Sequence, residues 1–245
     1  MQRRLLIENI DNIRDLGGYP AAAGQQTRWQ TFVRADHFQV WTDTTQQALV
    51  DYGVRLVLDL RDPHEIQEMP SEFATSSHVV YVNTPLLTDE IHLSRRFRLL
   101  VHNMLDHYEM YRFMLDECQP QIGNIFTTIA SQHTATTLFH CVAGKDRTGI
   151  VAALLLSLAG VSEDLIAQDY SLSREYLNDY FIKRRAKAAA TGADMARFDQ
   201  LHTYAPQTML STLAHLREHY HSVPDYLRTC GVSDEHLSLL RGVLL

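Results

Sequence analysis

The sequence predicts an α/β fold with a helix-rich C-terminal part. Three observations carry that prediction. Strand-like runs alternate with helical spacing through the first two thirds of the 245 residues. One run rich in β-formers, Thr137-Leu138-Phe139-His140, passes straight into a glycine-containing loop and then a strongly apolar helix. From about residue 160 to 245 the pattern is helical throughout.

In chain order, Leu5-Leu6-Ile7-Glu8 is a short apolar run, and Asp15-Leu16-Gly17-Gly18-Tyr19-Pro20 is a turn signal. Residues 22–26 suit a hairpin tip before a second run over 29–34. Thr42-Asp43 opens a helix reaching Tyr52, with Gly53 as its stop. Residues 54–60 form a buried strand and 78–82 another. From about Leu86 the spacing turns helical, as in Phe97, Leu100, Val101, Met104 and Leu105. After Thr148 a helix runs through Leu158 and is closed by Gly160. No linker or internal repeat interrupts the chain, so 1–245 reads as a single domain.

Composition narrows the function. With 45% hydrophobic and 21% charged residues, 11 Gly and 7 Pro, the chain is neither fibrous nor disordered. Its 22 basic and 29 acidic residues leave a net charge of −7, which argues against nucleic acid or an anionic membrane as a general partner. Three cysteines, Cys118, Cys141 and Cys230, are too few for a disulfide framework and contain no CxxC pair. The N-terminal residues lack the apolar core of a signal peptide, and the longest apolar stretch, 150–161, is shorter than the ~20 residues of a membrane span. A cytoplasmic protein is expected, with export by a signal-free route left open and the oligomeric state undetermined.

The chemistry concentrates in His140-Cys141-Val142-Ala143-Gly144-Lys145-Asp146-Arg147-Thr148, the loop 140–148. Five residues between a cysteine and an arginine suffice to wrap backbone N–H groups around one tetrahedral anion, with Val142, Ala143, Gly144 and Lys145 lining the cradle. The helix starting near Arg147 points its positive end at the same spot. Arg147 supplies a planar fork for two phosphoryl oxygens, which Lys would not reproduce. That field favours a thiolate at Cys141, a nucleophile aimed at phosphorus. Thr148 lies where its hydroxyl could meet the sulfur as it leaves. The scheme calls for no metal and no cofactor. A nucleotide-binding loop of the Walker type fails, because Phe139 stands where a glycine is needed.

This loop, with Asn12-Ile13-Arg14-Asp15-Leu16-Gly17-Gly18-Tyr19, with Val57-Leu58-Asp59-Leu60-Arg61 followed by Glu65 and Pro70, and with the stretch around Tyr226-Leu227, Gly231 and Leu237, resembles the atypical bacterial tyrosine, dual-specificity and lipid phosphatases typified by a mycobacterial protein tyrosine phosphatase. The resemblance spans nearly the whole chain. It implies the cysteine-phosphatase fold, a mostly parallel central sheet flanked by helices, and activity on phosphotyrosine, with phosphoserine, phosphothreonine and phosphoinositides as further substrates.

A leaving alkoxide needs a proton donor. From position alone Asp59, Asp106 or Asp116 could serve; the resemblance points instead to Asp146, inside the cradle beside Lys145. Asp59 reads otherwise as a strand-end carboxylate paired with Arg61 or Arg14. His140 is expected to brace the loop through backbone hydrogen bonds. Asn12, Arg14 and Asp15 suit a segment folded against the loop, either as scaffold or in contact with substrate. The dense basic cluster Lys183-Arg184-Arg185 with Lys187 reads as a solvated helix face, with an inositol headgroup or acidic membrane as the functional alternative. In the resembled family helices in this part form a lid, which would place mobility near Ala188-Ala189-Ala190 and Gly192. His215 and His219 read as a surface pair, and Cys118 and Cys230 as packing residues. Competing readings are a phosphoinositide phosphatase with little protein activity, a non-catalytic phospho-binding module, and a sulfurtransferase.

Overall fold

A computed structural model describes residues 1–37, 42–103, 106–132, 135–201 and 205–245. Two of the helical positions expected from spacing, Met104 and Leu105, lie outside the described residues.

The elements begin with β1 (Arg14–Asp15), β2 (Phe32–Ala35), α1 (Asp43–Tyr52), β3 (Val54–Asp59), α2 (Pro63–Glu68) and β4 (Val80–Asn83). Then come α3 (Asp89–Leu93), α4 (Arg95–Asn103), α5 (His107–Glu117), α6 (Gln119–Gln132), β5 (Thr136–His140) and α7 (Asp146–Leu158). The C-terminal part is α8 (Glu163–Tyr176), α9 (Asn178–Ala190), α10 (Met195–Leu201), α11 (Pro206–Tyr220), α12 (Val223–Thr229) and α13 (Asp234–Leu244). Among the described residues no helix is long and apolar enough to cross a membrane.

The strands pair in the order β1-β2-β5-β3-β4, with only β1 antiparallel, so the mixed α/β fold with a mostly parallel central sheet is the one observed. Parallel strands are covered on both faces, which is why these runs read as continuously apolar. Phe32, Leu56, Leu58 and Phe139 face one side, towards α5, α6, α7 and α8. Val33, Ala35, Val57 and Leu138 face the other, where Leu49 of α1 and Ile13 pack. In α7 every residue from Thr148 to Leu156 is buried, so it is wrapped by protein all round and shows no polar stripe.

Local chemistry sets the boundaries. Thr42 caps α1 through its side chain and Gly53, at φ 108°, ends it in the left-handed conformation. Asp62 and Glu65 form a reciprocal capping box around Pro63 at the start of α2. The structure differs from the sequence reading at the N-terminus. Residues 5–8 form no strand; only Arg4 makes an isolated bridge, to Arg14. The short β1 instead comes from Arg14 and Asp15, the edge of the expected turn, because Arg14 pairs with Arg34 across β2.

Register positions the site. Ala35 of β2 and Asp59 of β3 both lie opposite His140 of β5. The carboxyl ends of three neighbouring strands are therefore level, and the loop after the central one opens at that edge, where parallel α/β sheets receive ligands.

Candidate active site

The shape of the loop follows from what holds its carbonyls. The Val142 carbonyl accepts the His37 N–H at 2.8 Å. Asn12 Nδ2 donates to the Ala143 carbonyl at 2.9 Å and the Gly144 carbonyl at 3.1 Å, and Arg34 Nη2 donates to Gly144 at 2.9 Å. All peptides of the described residues are trans. In a planar trans peptide the N–H points opposite to the C=O. The amides of Ala143, Gly144 and Lys145 are therefore turned away from the scaffold, a nest of donors for one anion. The N-terminus of α7, beginning at Asp146, faces the same nest.

Gly144 is required where it stands. Its φ is +61°, and a Cβ built on it would lie 2.3 Å from the Ala35 carbonyl oxygen. Cys141, a free thiol, is 3% exposed. Thr148 is fully buried, and its hydroxyl makes no hydrogen bond among the described residues. A buried donor left open is costly.

Arg147 is held at both tines: Nη1 meets Glu65 Oε2 at 2.5 Å and Nη2 meets Oε1 at 2.7 Å. Burial disfavours the Glu65 charge, but the Arg147 bonds outweigh it and hold the carboxyl below its ordinary range. Since Glu65 is also fixed by the capping box of α2, the fork is set before any ligand arrives.

Asp146 is one third exposed. Its Oδ1 accepts the Tyr111 hydroxyl at 2.6 Å and lies 3.0 Å from Lys145 Nζ and 3.7 Å from His107 Nε2. Burial opposes its charge, yet Lys145, His107 and Tyr111 together hold the carboxyl well below the usual range. Lys145 is 1% exposed, and burial brings its ammonium down to about 8 against the opposing pull of Asp146.

His140 Nδ1 is 3.3 Å from the Cys141 carbonyl and its Nε2 is 3.7 Å from Asp59 Oδ2; burial lowers its pKa against the opposing pull of Asp59. Asp59 is fully buried and takes Arg61 Nε at 2.9 and 3.0 Å, Arg61 Nη2 at 2.7 Å and the Tyr81 hydroxyl at 2.8 Å. Of the two partners that sequence offered it, Arg61 is the one present. Both of its oxygens are thus engaged inside the protein.

Arg14 reaches the loop indirectly. Its Nη1 holds Asn12 Oδ1 at 2.6 Å, which orients the Asn12 amide on the loop, and its Nε holds Asp169 of α8 at 2.8 Å. Asp169 also takes Arg34 Nη1 at 2.6 Å and the Tyr19 hydroxyl at 3.0 Å. Burial works against its charge, but Arg14 and Arg34 bring its pKa down to about 2. One buried carboxylate thus sends two arms to the same loop, through Arg34 and through Arg14 and Asn12. Asp15 turns elsewhere: it accepts the Gly17 and Gln30 amides and the Tyr52 hydroxyl, bracing the turn after β1.

The sequence left Arg34, Asp169, Tyr111 and His107 unremarked and gave Glu65 no role. Two of them carried a signal, since Arg34 sits in an otherwise apolar strand and Asp169 among the buried positions of α8, and charges there demand partners. Glu65 was legible as half of a capping box, but its Arg147 contact spans 82 positions.

The remaining candidates lie apart from the loop's hydrogen bonds. Asp106 caps α5, and Asp116 takes His215 Nε2 and the Tyr220 hydroxyl, each at 2.8 Å. His215 is therefore not the surface residue expected: α11 packs on α5 and α8, leaving it 4% exposed. Cys118 and Cys230 are buried in the core, and burial pushes their thiols up, to about 12 and 11.

A family model described as the tyrosine phosphatase family matches residues 5–245. A "Tyrosine-protein phosphatase" of Nostoc commune is 32% identical over 229 residues, covering 91% of this chain and 76% of that protein. A "Putative tyrosine-protein phosphatase" of Cupriavidus necator is 28% identical over 243 residues, with 97% and 87% covered. A "Triple specificity protein phosphatase" of Mycobacterium tuberculosis is 32% identical over 162 residues, 55% of each chain.

Proposed function

The chain belongs to the tyrosine phosphatase family and is a protein-tyrosine phosphatase, and from that premise we propose that residues 1–245 act as one domain that hydrolyses phosphotyrosine through a phosphocysteine on Cys141. The observation that carries this reading is the loop with its carbonyls tied outward, Cys141 at its base and the Arg147 fork fixed by Glu65.

In the first step the Cys141 sulfur attacks phosphorus and the P–O bond to tyrosine breaks. The inward amides and Arg147 meet the charge spread over the three equatorial oxygens. The leaving oxygen takes a proton by way of Asp146. In the second step water attacks phosphorus, its proton passes to Asp146, the S–P bond breaks, and on this reading the Thr148 hydroxyl turns to donate to the departing thiolate. The near-complete burial of Cys141 favours an aryl ester, whose long planar side chain reaches a recessed sulfur more readily than a short serine does. Phosphoserine, phosphothreonine and phosphoinositides are slower substrates on this reading. Support for them comes from the added cation Lys145 in the cradle and from the triple specificity in the name of the mycobacterial relative.

The test is steady-state turnover, with chelator present, of phosphotyrosine peptide, phosphoserine peptide and a short-chain phosphoinositide by wild type and Cys141→Ser. Turnover of the first above the others, abolished in the variant while peptide binding persists, is expected. Residual turnover in Cys141→Ser refutes the thiolate mechanism; tight phosphopeptide binding with no turnover by wild type replaces the enzyme by a binding module.

A further inference from the structure

Helix α9 turns three of its four cations, Lys183, Arg184 and Lys187, to one groove. Tyr180, Arg184, Lys187 and Thr191 recur at helical spacing, Lys183 flanks them, and Phe198 of α10 closes the far side of a groove of about 670 Å³. Arg185, one step round the helix, is tied to Asp199 by two bonds of 2.7 and 2.8 Å, which fastens α10 against α9 and gives the groove its second wall. Lys183, Arg184 and Lys187 are exposed and make no ion pair among the described residues. Arg184 gives one hydrogen bond, to the Tyr180 hydroxyl at 3.0 Å. In a chain of net charge −7, three cations left without carboxylates in one concave place are a local exception to the charge balance.

The groove is joined to the active-site loop through α8: α9 follows α8 directly and packs on it, and Tyr170 of α8 shares a hydrogen bond of 2.8 Å with Tyr111, whose hydroxyl meets Asp146 at 2.6 Å. After burial, which is the larger cause, the charge of Arg184 is among the influences that bring Lys145 down to about 8. We infer that the α9–α10 groove is a substrate subsite that holds acidic side chains flanking the phosphotyrosine of a protein substrate. This deepens the phosphatase reading and rests on it. A peptide fits better than a bilayer for two reasons. The cations line a groove with aromatic walls rather than a broad face, so they suit an extended segment. The net negative charge of the molecule also repels an anionic surface, while a flanking carboxylate would sit well inside the Debye length of ~8 Å.

The experiment compares two phosphotyrosine peptides of equal length, one with Asp and Glu flanks and one with Ser and Ala flanks, on wild type and on the Lys183→Ala/Lys187→Ala double variant. Two or three exposed pairs predict a kcat/KM about threefold to tenfold higher for the acidic peptide, carried by KM and lost at high salt. In the double variant that preference vanishes while turnover of p-nitrophenyl phosphate is unchanged. Equal kcat/KM for the two peptides on wild type overturns the proposal, as does a preference that survives in the double variant. So does a double variant that loses only binding to phosphatidylserine vesicles, which makes the surface a membrane contact. Titration of both peptides into Cys141→Ser, with and without the two lysines, reads the groove separately. A lysine-dependent affinity there, with no turnover by wild type, would sink the catalytic reading and leave the groove standing.

Discussion

Replacing Gly144 by Ala tests whether the cradle depends on a fit of backbone against backbone. The new Cβ would lie 2.3 Å from the Ala35 oxygen, 2.4 Å from its carbonyl carbon and 2.5 Å from the Asp36 nitrogen. Ala35 cannot yield: it ends β2, which is paired with β1 on one side and β5 on the other. Restoring even a 3.0 Å approach moves the loop by about 0.7 Å, against the bonds from Asn12 and Arg34 that hold it. A displacement near 1 Å at reacting groups costs roughly 100-fold in rate. Alanine at φ +61° adds about 1 kcal/mol of backbone strain and the close contact about 1–3 kcal/mol more. The expectation is therefore a kcat/KM for p-nitrophenyl phosphate down by about two orders of magnitude, and a urea midpoint lowered by the equivalent of roughly 2–4 kcal/mol at unchanged slope. Gly149→Ala is the control. There the added carbon meets the Tyr170 ring edge at 3.3 Å and Arg34 Nη2 at an ordinary 3.7 Å, contacts that side chains relieve by moving a few tenths of an ångström, so both readouts stay far closer to wild type than in Gly144→Ala. A Gly144→Ala enzyme with kcat/KM within threefold of wild type would refute the argument that the carbonyl ties set the cradle.

Asp169→Asn leaves the buried guanidiniums of Arg14 and Arg34 without a counter-charge. A loss of about 3–5 kcal/mol in urea unfolding is expected, with kcat/KM falling because both arms to the loop slacken; a loss under 1 kcal/mol would remove Asp169 from its place as hub. Glu65→Gln keeps the capping geometry of α2 but not the two-tined grip on Arg147. Stability should change by less than about 1 kcal/mol while kcat/KM drops roughly tenfold or more, and an unchanged rate would show that the fork needs no holder. Asp36 is buried, which pushes its carboxyl up to about 7 although the Asn12 and Asp11 amides favour its charge. Between about pH 4 and 7 the folded chain then keeps a proton that the unfolded chain has released, so this group makes stability fall as pH rises through that window, by up to about 4 kcal/mol. Unfolding measured from pH 4 to 7 should show a slope in wild type that Asp36→Asn flattens, and an identical slope in both would rule Asp36 out.

What the sequence disclosed follows the range of the interactions involved. Thr42, Gly53, the run 54–60 and the loop 140–148 announce themselves through neighbours a few positions away, and the structure places α1, β3 and the start of α7 within a residue or two of the reading. The cradle was legible for the same reason: strand, loop and helix N-terminus are consecutive. What fixes the cradle was not. Asn12 meets Ala143 across 131 positions, Arg34 meets Gly144 across 110 and Arg14 meets Asp169 across 155. A charged residue inside an apolar strand tells a reader that a partner exists, but only the fold says which. His215 misled for the complementary reason, because its spacing with His219 carries no information about α5 packing over it.

Asp146 shows how such contacts alter a chemical assignment. Its place in the loop suggests a proton donor, yet Lys145, His107 and Tyr111 stabilise the carboxylate, so the resting enzyme holds a base. That state suits the second step, where water must give up a proton to reach phosphorus. For the first step the proton has to come with the substrate, whose phosphate monoester carries one below a second pKa near 6. Asp146 would then relay that proton to the leaving oxygen. The consequence is a kcat/KM that declines above pH 6 for alkyl phosphates, which need the relay, and less for aryl phosphates, whose phenolate leaves unaided. In Asp146→Asn the alkyl substrates should lose far more than p-nitrophenyl phosphate. Equal losses on both classes would mean that Asp146 serves the loop's structure and moves no proton.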